Sequence, residues 1–363
     1  MNSAAPMITL IIPTMNRSEF VARLLRYYRN LDFQGCVFIA DSSNDIHLRR
    51  TRAVVAEMAG KLNIVHREYP GLKNDGCFRL MSEMISTPYV AYLGDDDFLV
   101  PHGLNQAIEC LENNSEYHSA NGLSMIFNLD SSGPYGDLVG IGRYNGLRSI
   151  DGKSGAERLL AHLSNYSVVL FSVHRRITWL AMWRHEMPLE DLIFATELLP
   201  GSLSAIHGRA KTLDCLYLVR QEHPAQFRHS DLLDWITGSN WPSSYQAFRN
   251  SLAEELVRQD GISLEEAYDV VKQAFWSYLA NGLTNRRPGP YGQNGTGIGS
   301  GLRQFARSIP GVRRLWRRVR SLRQNECDLS SLLRPSSPYH TDFMPIYRAI
   351  TTFPAENSAP PGR

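Results

Sequence analysis

The first hundred residues alternate four short apolar runs with longer stretches of helical periodicity. The runs are rich in β-branched and aromatic residues, and polar or turn-forming residues follow them: Ile8–Ile12, Cys36–Ala40, Leu62–Val65 and Tyr89–Leu93. This pattern is typical of buried parallel strands. Strands and helices alternating at this spacing predict a doubly wound α/β sheet, mixed but mainly parallel, with helices on both faces.

Polar residues collect where three of these predicted strands end. Residues 13–17 (PTMNR) follow the first strand, residues 41–45 (DSSND) the second, and residues 94–97 (GDDD) the fourth. Open α/β sheets bind ligands at the carboxyl ends of their strands. We therefore expect any chemistry of this chain to lie on that edge of the sheet.

The acidic triplet Asp95–Asp97 is the strongest chemical signal on this edge. Three adjacent carboxylates repel one another, and a divalent cation is the usual remedy. Oxygen ligands favour Mg²⁺ or Mn²⁺ over zinc, and such ions complete their shell with substrate phosphates. The alternative is a solvated acidic turn before a helix near His102, in which Asp97 interacts with the helix dipole.

In order along the chain, residues 8–17, 41–43 and 92–97 resemble the motifs of a family-2 glycosyltransferase of the GT-A fold. The resemblance covers residues 1–115 well and residues up to 230 loosely. It implies a metal-dependent transferase that moves a sugar from a nucleotide diphosphate donor, commonly a UDP-sugar, in polysaccharide biosynthesis of bacterial type. The implied acceptor is a glycan or a lipid-linked sugar.

Carried over by position, the resemblance also implies roles for individual residues. Asp41 accepts a hydrogen bond from the base, although a turn or helix cap is the alternative for this residue. Asp95 contacts the ribose or the metal, and Asp97 is the main metal ligand. The remaining donor contacts would come from the turn after the first strand and from the middle of the triplet: Pro13, Thr14, Asn16, Arg17 and Asp96.

A third part of the donor site is expected near residue 74. Asn74-Asp75-Gly76 resembles the family's N-x-G segment that flanks the donor, and Lys73 would meet a phosphate. The family's usual alanine and asparagine are replaced in residues 77–81, so the sugar is not indicated.

The resemblance implies an inverting enzyme whose catalytic base is a carboxylate about a hundred residues after the triplet. Asp191 is the first choice and Glu197 its rival. The two are six positions apart and do not share a helix face, so only one should reach the site. The alternative for Asp191 is an N-cap of the following helix. His223 and Arg220 are further candidates, for the metal and the diphosphate respectively.

Beyond the catalytic domain, predicted to span residues 1–230, the chain changes character three times. The pattern is helical over 231–285, and 286–301 is a linker rich in Gly, Pro and Asn. Residues 302–325 form a basic amphipathic segment, and 326–363 is a Ser/Pro-rich tail with little reason to be ordered.

The formal net charge of +2 hides an uneven distribution. Eight arginines and no acidic residue lie between Arg303 and Arg323, so the rest of the chain is acidic. Apolar residues at helical spacing and Trp316 favour docking on an anionic membrane. Packing against the acidic body of the protein is the alternative, and no nucleic acid is expected because the aromatic interleaving that base stacking requires is absent.

Cysteine usage and hydropathy place the chain among cytoplasmic proteins. The five cysteines are scattered, as in proteins of a reducing compartment, and no stretch is apolar enough to span a membrane. Peripheral attachment to the inner face of the cell membrane would depend on residues 302–325.

Among competing functions, a sugar nucleotidyltransferase lacks support because residues 13–16 contain no glycine-rich loop. A non-catalytic GT-A-like scaffold in a glycan-assembly complex stays open.

Overall fold

The computed structural model describes residues 6–72, 74–144, 146–184, 191–224, 226, 231–284 and 329–353 of the 363-residue chain. Its first half is the predicted β/α alternation. The elements are β1 Ile8–Thr14, α1 Ser18–Asn30, β2 Cys36–Asp41, α2 Asp45–Glu57, β3 Asn63–Glu68, α3 Asn74–Met84 and β4 Tyr89–Tyr92. The four strands are parallel, and all four coincide with the apolar runs of the sequence.

The second half extends the same sheet mainly by antiparallel pairing. The elements are β5 Phe98–Leu99, α4 Pro101–Asn113, β6 Tyr117–Leu129, β7 Leu138–Tyr144, α5 Gly155–Ser164, β8 Val173–Arg175, α6 Arg176–Met182, α7 Leu199–His207 and β9 Arg209–Glu222. The strand order is β3-β2-β1-β4-β8-β6-β9-β5, with β7 paired to β6. Because β9 lies beside β6 and pairs with β5, its carboxyl end reaches the residues that follow β4.

Residues 167–173 form a short apolar run of the kind that predicts a strand, but only the last of them belongs to one. Residues Val169–Phe171 form a 3₁₀ turn, and only Val173–Arg175 pairs as β8. The backbone carbonyls of the turn are bound by side chains instead of a neighbouring strand. His174 Nε2 lies 2.9 Å from the Val169 carbonyl, and the Tyr217 hydroxyl donates to the Phe171 carbonyl at 2.7 Å. A short apolar run does not distinguish these two arrangements.

Helices follow the sheet, as the sequence predicts for residues 231–285. They are α8 Leu232–Ile236, α9 Trp241–Asp260 and α10 Leu264–Thr284. Their apolar faces share one core with α5 and α7, in which Phe194 and Phe275 are buried. Helices from both sides of residue 230 therefore pack together, while the exact domain limits stay a prediction.

The expectation of a disordered tail is wrong for residues 329–353. Two helices lie there, α11 Leu329–Leu332 and α12 His340–Thr351. Phe343, Ile346 and Ile350 of α12 are fully buried in the same core as β1 and α1. Their spacing of three and four places them on one helical face, and burying that face offsets the entropy of ordering the segment. The linker 286–301 and the basic segment 302–325 lie outside the described residues.

Two buried histidines predict acid sensitivity of the fold. Burial lowers the pKa of His162 and of His174 to about 4. The unfolded chain then binds more protons than the folded chain between about pH 6.5 and pH 4, so stability is complete above this window and is lost as the pH falls. Neither ring nitrogen of His162 has a hydrogen-bond partner among the described residues.

We therefore expect His162→Leu to be more stable than the parent chain by about 2 kcal/mol at about pH 5, and to differ less at neutral pH. Urea unfolding at several pH values measures this difference. The comparison variant is His102→Gln: this side chain is 60% exposed and pairs with Asp342 at 3.0 Å, so its loss should change the pH profile far less than His162→Leu does. If the free energy of unfolding depends on pH in the same way in His162→Leu and in the parent chain, then the His162 ring is protonated equally in the folded and unfolded states.

Candidate functional site

The three polar strand ends meet at one edge of the sheet. β1 lies between β2 and β4 and runs parallel to both, so the residues after these strands are neighbours. The loops after β1 and β2 are joined by Asn16, whose backbone is left-handed at φ 58°. Its N–H donates to Ser43 Oγ at 2.7 Å, and its Oδ1 accepts from the Asn44 N–H at 2.8 Å. Asparagine tolerates this conformation better than most residues.

Two residues of the first loop bind the start of the acidic triplet. The Thr14 hydroxyl donates to Asp95 Oδ2 at 2.7 Å, and Arg17 Nη1 donates to Asp95 Oδ1 at 3.0 Å and to Asp96 Oδ2 at 2.9 Å. Burial and the charge of Asp96 raise the pKa of Asp95 to about 7, against the opposing effect of Arg17. Pro13 precedes this pair inside β1, where it is opposite Ala40.

The end of β9 binds the rest of the triplet. Arg220 Nε donates to Asp97 Oδ2 at 3.0 Å, and the Gln221 N–H donates to Asp97 Oδ1 at 3.1 Å. Burial raises the pKa of Asp97 to about 6, although Arg220 opposes this. His223 Nε2 donates to Asp96 Oδ2 at 2.9 Å, and its ring is stacked on Phe20. The structure thus brings Arg220 and His223 to the triplet.

These contacts change the charge argument made from the sequence. Five oxygens of the triplet accept hydrogen bonds from the chain's own donors, among them Arg17, Arg220 and His223. Within the described part of the chain, no group of three or more His, Cys, Asp or Glu side chains is arranged to hold a metal ion. The positive charge expected from a divalent ion is supplied here by arginine.

Asp41 lies at the end of β2 and is fully buried. Its Oδ1 accepts from the Ser43 N–H at 3.0 Å, and its Oδ2 lies 3.3 Å from His66 Nε2. Burial acts to raise the pKa of Asp41, but the hydrogen bonds from His66 and Ser43 outweigh it and hold the pKa below the usual value. Asp41 is therefore an ionised acceptor at this edge.

The two candidate bases have different surroundings. Asp191 is buried and acts as a helix cap: its Oδ1 accepts from the Phe194 N–H at 3.1 Å, and its Oδ2 accepts from the Trp235 indole at 3.0 Å. Glu197 lies on a π-helical turn, Phe194–Leu198, that leads into α7. Single π turns of this kind often occur at functional sites.

Glu197 is hydrogen-bonded to Tyr166 and lies near Tyr144. The Tyr166 hydroxyl donates to Glu197 Oε1 at 2.8 Å. The Arg220 guanidinium lies 5.1 Å from the centre of the Tyr144 ring. Burial raises the pKa of Tyr144, and the carboxylates of Glu197 and Asp97 raise it further. Tyr144 thus lies within electrostatic range of both Glu197 and the acidic triplet.

Arg23 is a site residue that the sequence analysis missed. It is 1% exposed, and its guanidinium donates to the main-chain carbonyl of Asp96 and to the Gln221 side chain. The sequence does contain a sign of its role: Arg23 lies on the apolar face of α1, three residues after Phe20 and four before Tyr27. Of the predicted donor contacts, Lys73 lies outside the described residues, and of Asn74 only the helical backbone of α3 is described.

Comparison with known proteins identifies the fold. No protein family matches the sequence, and no curated protein does. Among solved structures, the 1–349 segment of TarS from S. aureus matches with a TM-score of 0.50 and 13% identity, over 77% of this chain and 73% of that chain. The same segment in complex with UDP-GlcNAc matches with a TM-score of 0.51 and 15% identity, over 77% and 74%. The fold is therefore the predicted GT-A type, with a mixed sheet followed by helices.

Proposed function

We propose that this chain is a glycosyltransferase that moves a sugar from a nucleotide diphosphate donor to an acceptor hydroxyl. The observation that carries the proposal is the meeting of Thr14, Arg17, Asp41 and the triplet Asp95–Asp97 at one edge of a GT-A sheet. The TarS segment with this fold is known in complex with UDP-GlcNAc. A UDP-sugar is therefore the first donor to test.

Each strand end has a proposed task in donor binding. Asp41, buried and ionised, accepts a hydrogen bond from an N–H of the base, and Thr14 and Asn16 shape the pocket beside it. Asp95 and Asp96 face the ribose. Arg17 and Arg220 offset the charge of the diphosphate, since guanidinium groups bind phosphate oxygens with two parallel hydrogen bonds. Lys73 and Asn74 are proposed to flank the donor.

A divalent ion, Mn²⁺ or Mg²⁺ held by Asp95, Asp97 and His223, was predicted from the sequence. In the structure Asp95 is hydrogen-bonded to Arg17, and Asp97 is hydrogen-bonded to Arg220. These three predicted metal ligands, as they are arranged, therefore do not fit a divalent ion. Donor binding measured with EDTA and with Mn²⁺ will show whether Arg17 and Arg220 or a divalent ion balances the charge of the diphosphate.

For the reaction itself we propose a single inverting displacement. Glu197 removes the proton of the acceptor hydroxyl as its oxygen bonds to the anomeric carbon, and the bond from that carbon to the diphosphate oxygen breaks. The nucleotide diphosphate leaves with the bonding electron pair, next to Arg17 and Arg220. Glu197 is preferred to Asp191 because Asp191 caps a helix, whereas the charge of Glu197 acts on Tyr144, whose ring lies 5.1 Å from the Arg220 guanidinium at the donor edge.

The proposed acceptor is a glycan or a lipid-linked sugar. Docking of residues 302–325 on an anionic membrane would bring the enzyme to a lipid-linked acceptor. No helix of the described residues is long and apolar enough to cross a membrane. Co-sedimentation with anionic liposomes, with and without residues 302–325, tests the docking, and equal binding by the two chains would contradict it.

One observation favours a second candidate function, a non-catalytic scaffold. The acidic triplet is already neutralised by side chains of the chain itself. Such a site needs no ligand to be stable. A folded chain that binds no nucleotide sugar, with EDTA or with any divalent ion, would support this second candidate.

Asp41→Asn tests the donor site directly. Because a charged hydrogen bond to the base is lost, we expect UDP to bind about tenfold more weakly, while the fold is kept. Isothermal titration calorimetry measures the binding. Asp269→Asn on the exposed face of α10 is the matched control and should bind UDP like the parent chain. Equal UDP affinity in both variants would remove Asp41 from the base pocket.

A further inference from the structure

A cavity of about 330 Å³ lies between α1 and α12, and its lining includes Arg23 but none of the residues proposed to contact the donor. Four arginines line it: Arg23, Arg26 and Arg29 from α1, and Arg348 from α12. The three arginines of α1 are spaced three residues apart and so lie on the same side of the helix. Tyr27 and Tyr135 supply aromatic walls. The cavity thus combines strong positive charge with apolar surface.

The positive charge of this cavity is poorly compensated by the protein. Arg26 and Arg29 share one carboxylate, Glu57, at 3.7 and 3.5 Å, and that side chain is 45% exposed. Exposed pairs at such distances contribute little. Arg348 forms no ion pair with any described residue. Arg29 also donates to Asn30 Oδ1 through Nε and Nη2 at 3.2 and 2.9 Å, but that amide is neutral. An anion entering the cavity would therefore meet guanidinium charge that is only weakly compensated.

Two buried donors at the cavity also lack partners. The Tyr27 hydroxyl and Arg23 Nε have no hydrogen-bond partner among the described residues, although Tyr27 is 2% exposed and Arg23 1%. The other nitrogens of Arg23 are bound to Pro134, Gln221 and the Asp96 carbonyl. Buried donors in folded proteins are nearly always hydrogen-bonded. Two orphan donors one helical turn apart, beside three further arginines, indicate a missing acceptor.

We propose that the cavity between α1 and α12 is a second ligand site that binds a phosphate group through Arg26, Arg29, Arg348 and the Tyr27 hydroxyl. Phosphate suits this set because it offers several oxygens to guanidinium groups on two different helices. The group could be a free phosphate or the headgroup of an anionic lipid. The proposal does not rest on the proposed transferase function, because none of these four residues belongs to the donor edge.

The first arm of the test uses inorganic phosphate and the full chain, with binding followed by ³¹P NMR and by thermal shift at constant ionic strength. We expect saturable binding that Arg26→Gln/Arg348→Gln weakens at least about tenfold. Tyr27→Phe, which keeps the ring and its packing, should weaken it several-fold. Arg49→Gln on α2 is the matched control.

The second arm replaces phosphate with vesicles of phosphatidylglycerol, and neutral phosphatidylcholine vesicles serve as the blank. Both the parent chain and the variants carry residues 302–325, so any contribution of that segment cancels. A defect of Arg26→Gln/Arg348→Gln in vesicle binding would identify a lipid headgroup as the source of the phosphate. A defect with inorganic phosphate alone would identify a free anion.

Three results would overturn the proposal. One is phosphate binding that is unchanged in Arg26→Gln/Arg348→Gln, and another is phosphate binding that Arg49→Gln weakens to the same extent as the double variant. The third is the absence of binding to both phosphate and vesicles, which would mean that these arginines only stabilise the carboxyl ends of α1 and α12. Circular dichroism of each variant verifies that it is folded, and Tyr27→Phe keeps the test valid if the double variant is not.

Discussion

Replacing Asp97 with alanine is expected to remove about 3–5 kcal/mol of folding stability and to abolish binding of the nucleotide-sugar donor. Asp97 is 1% exposed and accepts from Arg220 Nε and from the Gln221 N–H, so the variant leaves a largely buried guanidinium without its counter-charge. Urea unfolding measures the stability, and calorimetry with UDP-GlcNAc measures the binding. Both effects follow from the contact between Asp97, which lies between β4 and β5, and Arg220 at the end of β9.

The control for Asp97→Ala removes both members of the ion pair. Asp97→Leu/Arg220→Met should recover much of the stability, because no buried charge is left unpaired, but it should still fail to bind the donor. A loss below about 1 kcal/mol in Asp97→Ala would show that Arg220 is solvated when unpaired. Donor binding by the double variant would exclude Asp97 and Arg220 from the donor site.

Replacing Glu197 with glutamine is expected to lower turnover by about 10²–10⁴-fold while donor binding stays the same. The amide keeps the hydrogen bond from Tyr166 but no longer accepts a proton from the acceptor hydroxyl. Initial rates of sugar transfer at saturating donor, together with UDP-GlcNAc titrations, separate the chemical step from binding. Hydrolysis of the donor by water serves as the readout until an acceptor is known.

Asp191→Asn is the matched variant, because the same change is made in the rival carboxylate. It should lose about 1–3 kcal/mol of stability, since the charged acceptor of the Trp235 indole and the Phe194 N–H is weakened. Turnover of the folded protein should be kept. If Asp191→Asn loses turnover and Glu197→Gln does not, then Asp191, the first choice from the sequence, is the base.

Most of the sheet could be predicted from the sequence because its signals are local. The four parallel strands were found from short apolar runs, and the ligand edge from the polar residues that follow them. β6 and β7 were missed, and the apolar residues 169–171 form a 3₁₀ turn and not a strand, because apolar runs of this length fit several structures. The helix α12 was missed because Ser and Pro dominate the tail, whereas its stability comes from Phe343, Ile346 and Ile350 packed against distant elements.

The sequence by itself determined that Asp41 and Asp95–Asp97 lie at the carboxyl ends of buried strands and so at one edge of the sheet, since both directly follow short apolar runs. Only the tertiary structure decided how their charge is balanced. Asp97 meets Arg220 across 123 positions of the chain, and Asp95 meets Arg17 across 78. The energy of a charge pair depends on the distance between the two groups in space. Whether an arginine or a metal ion balances the Asp95–Asp97 carboxylates therefore depends on residues that are far apart in the sequence and share no local pattern.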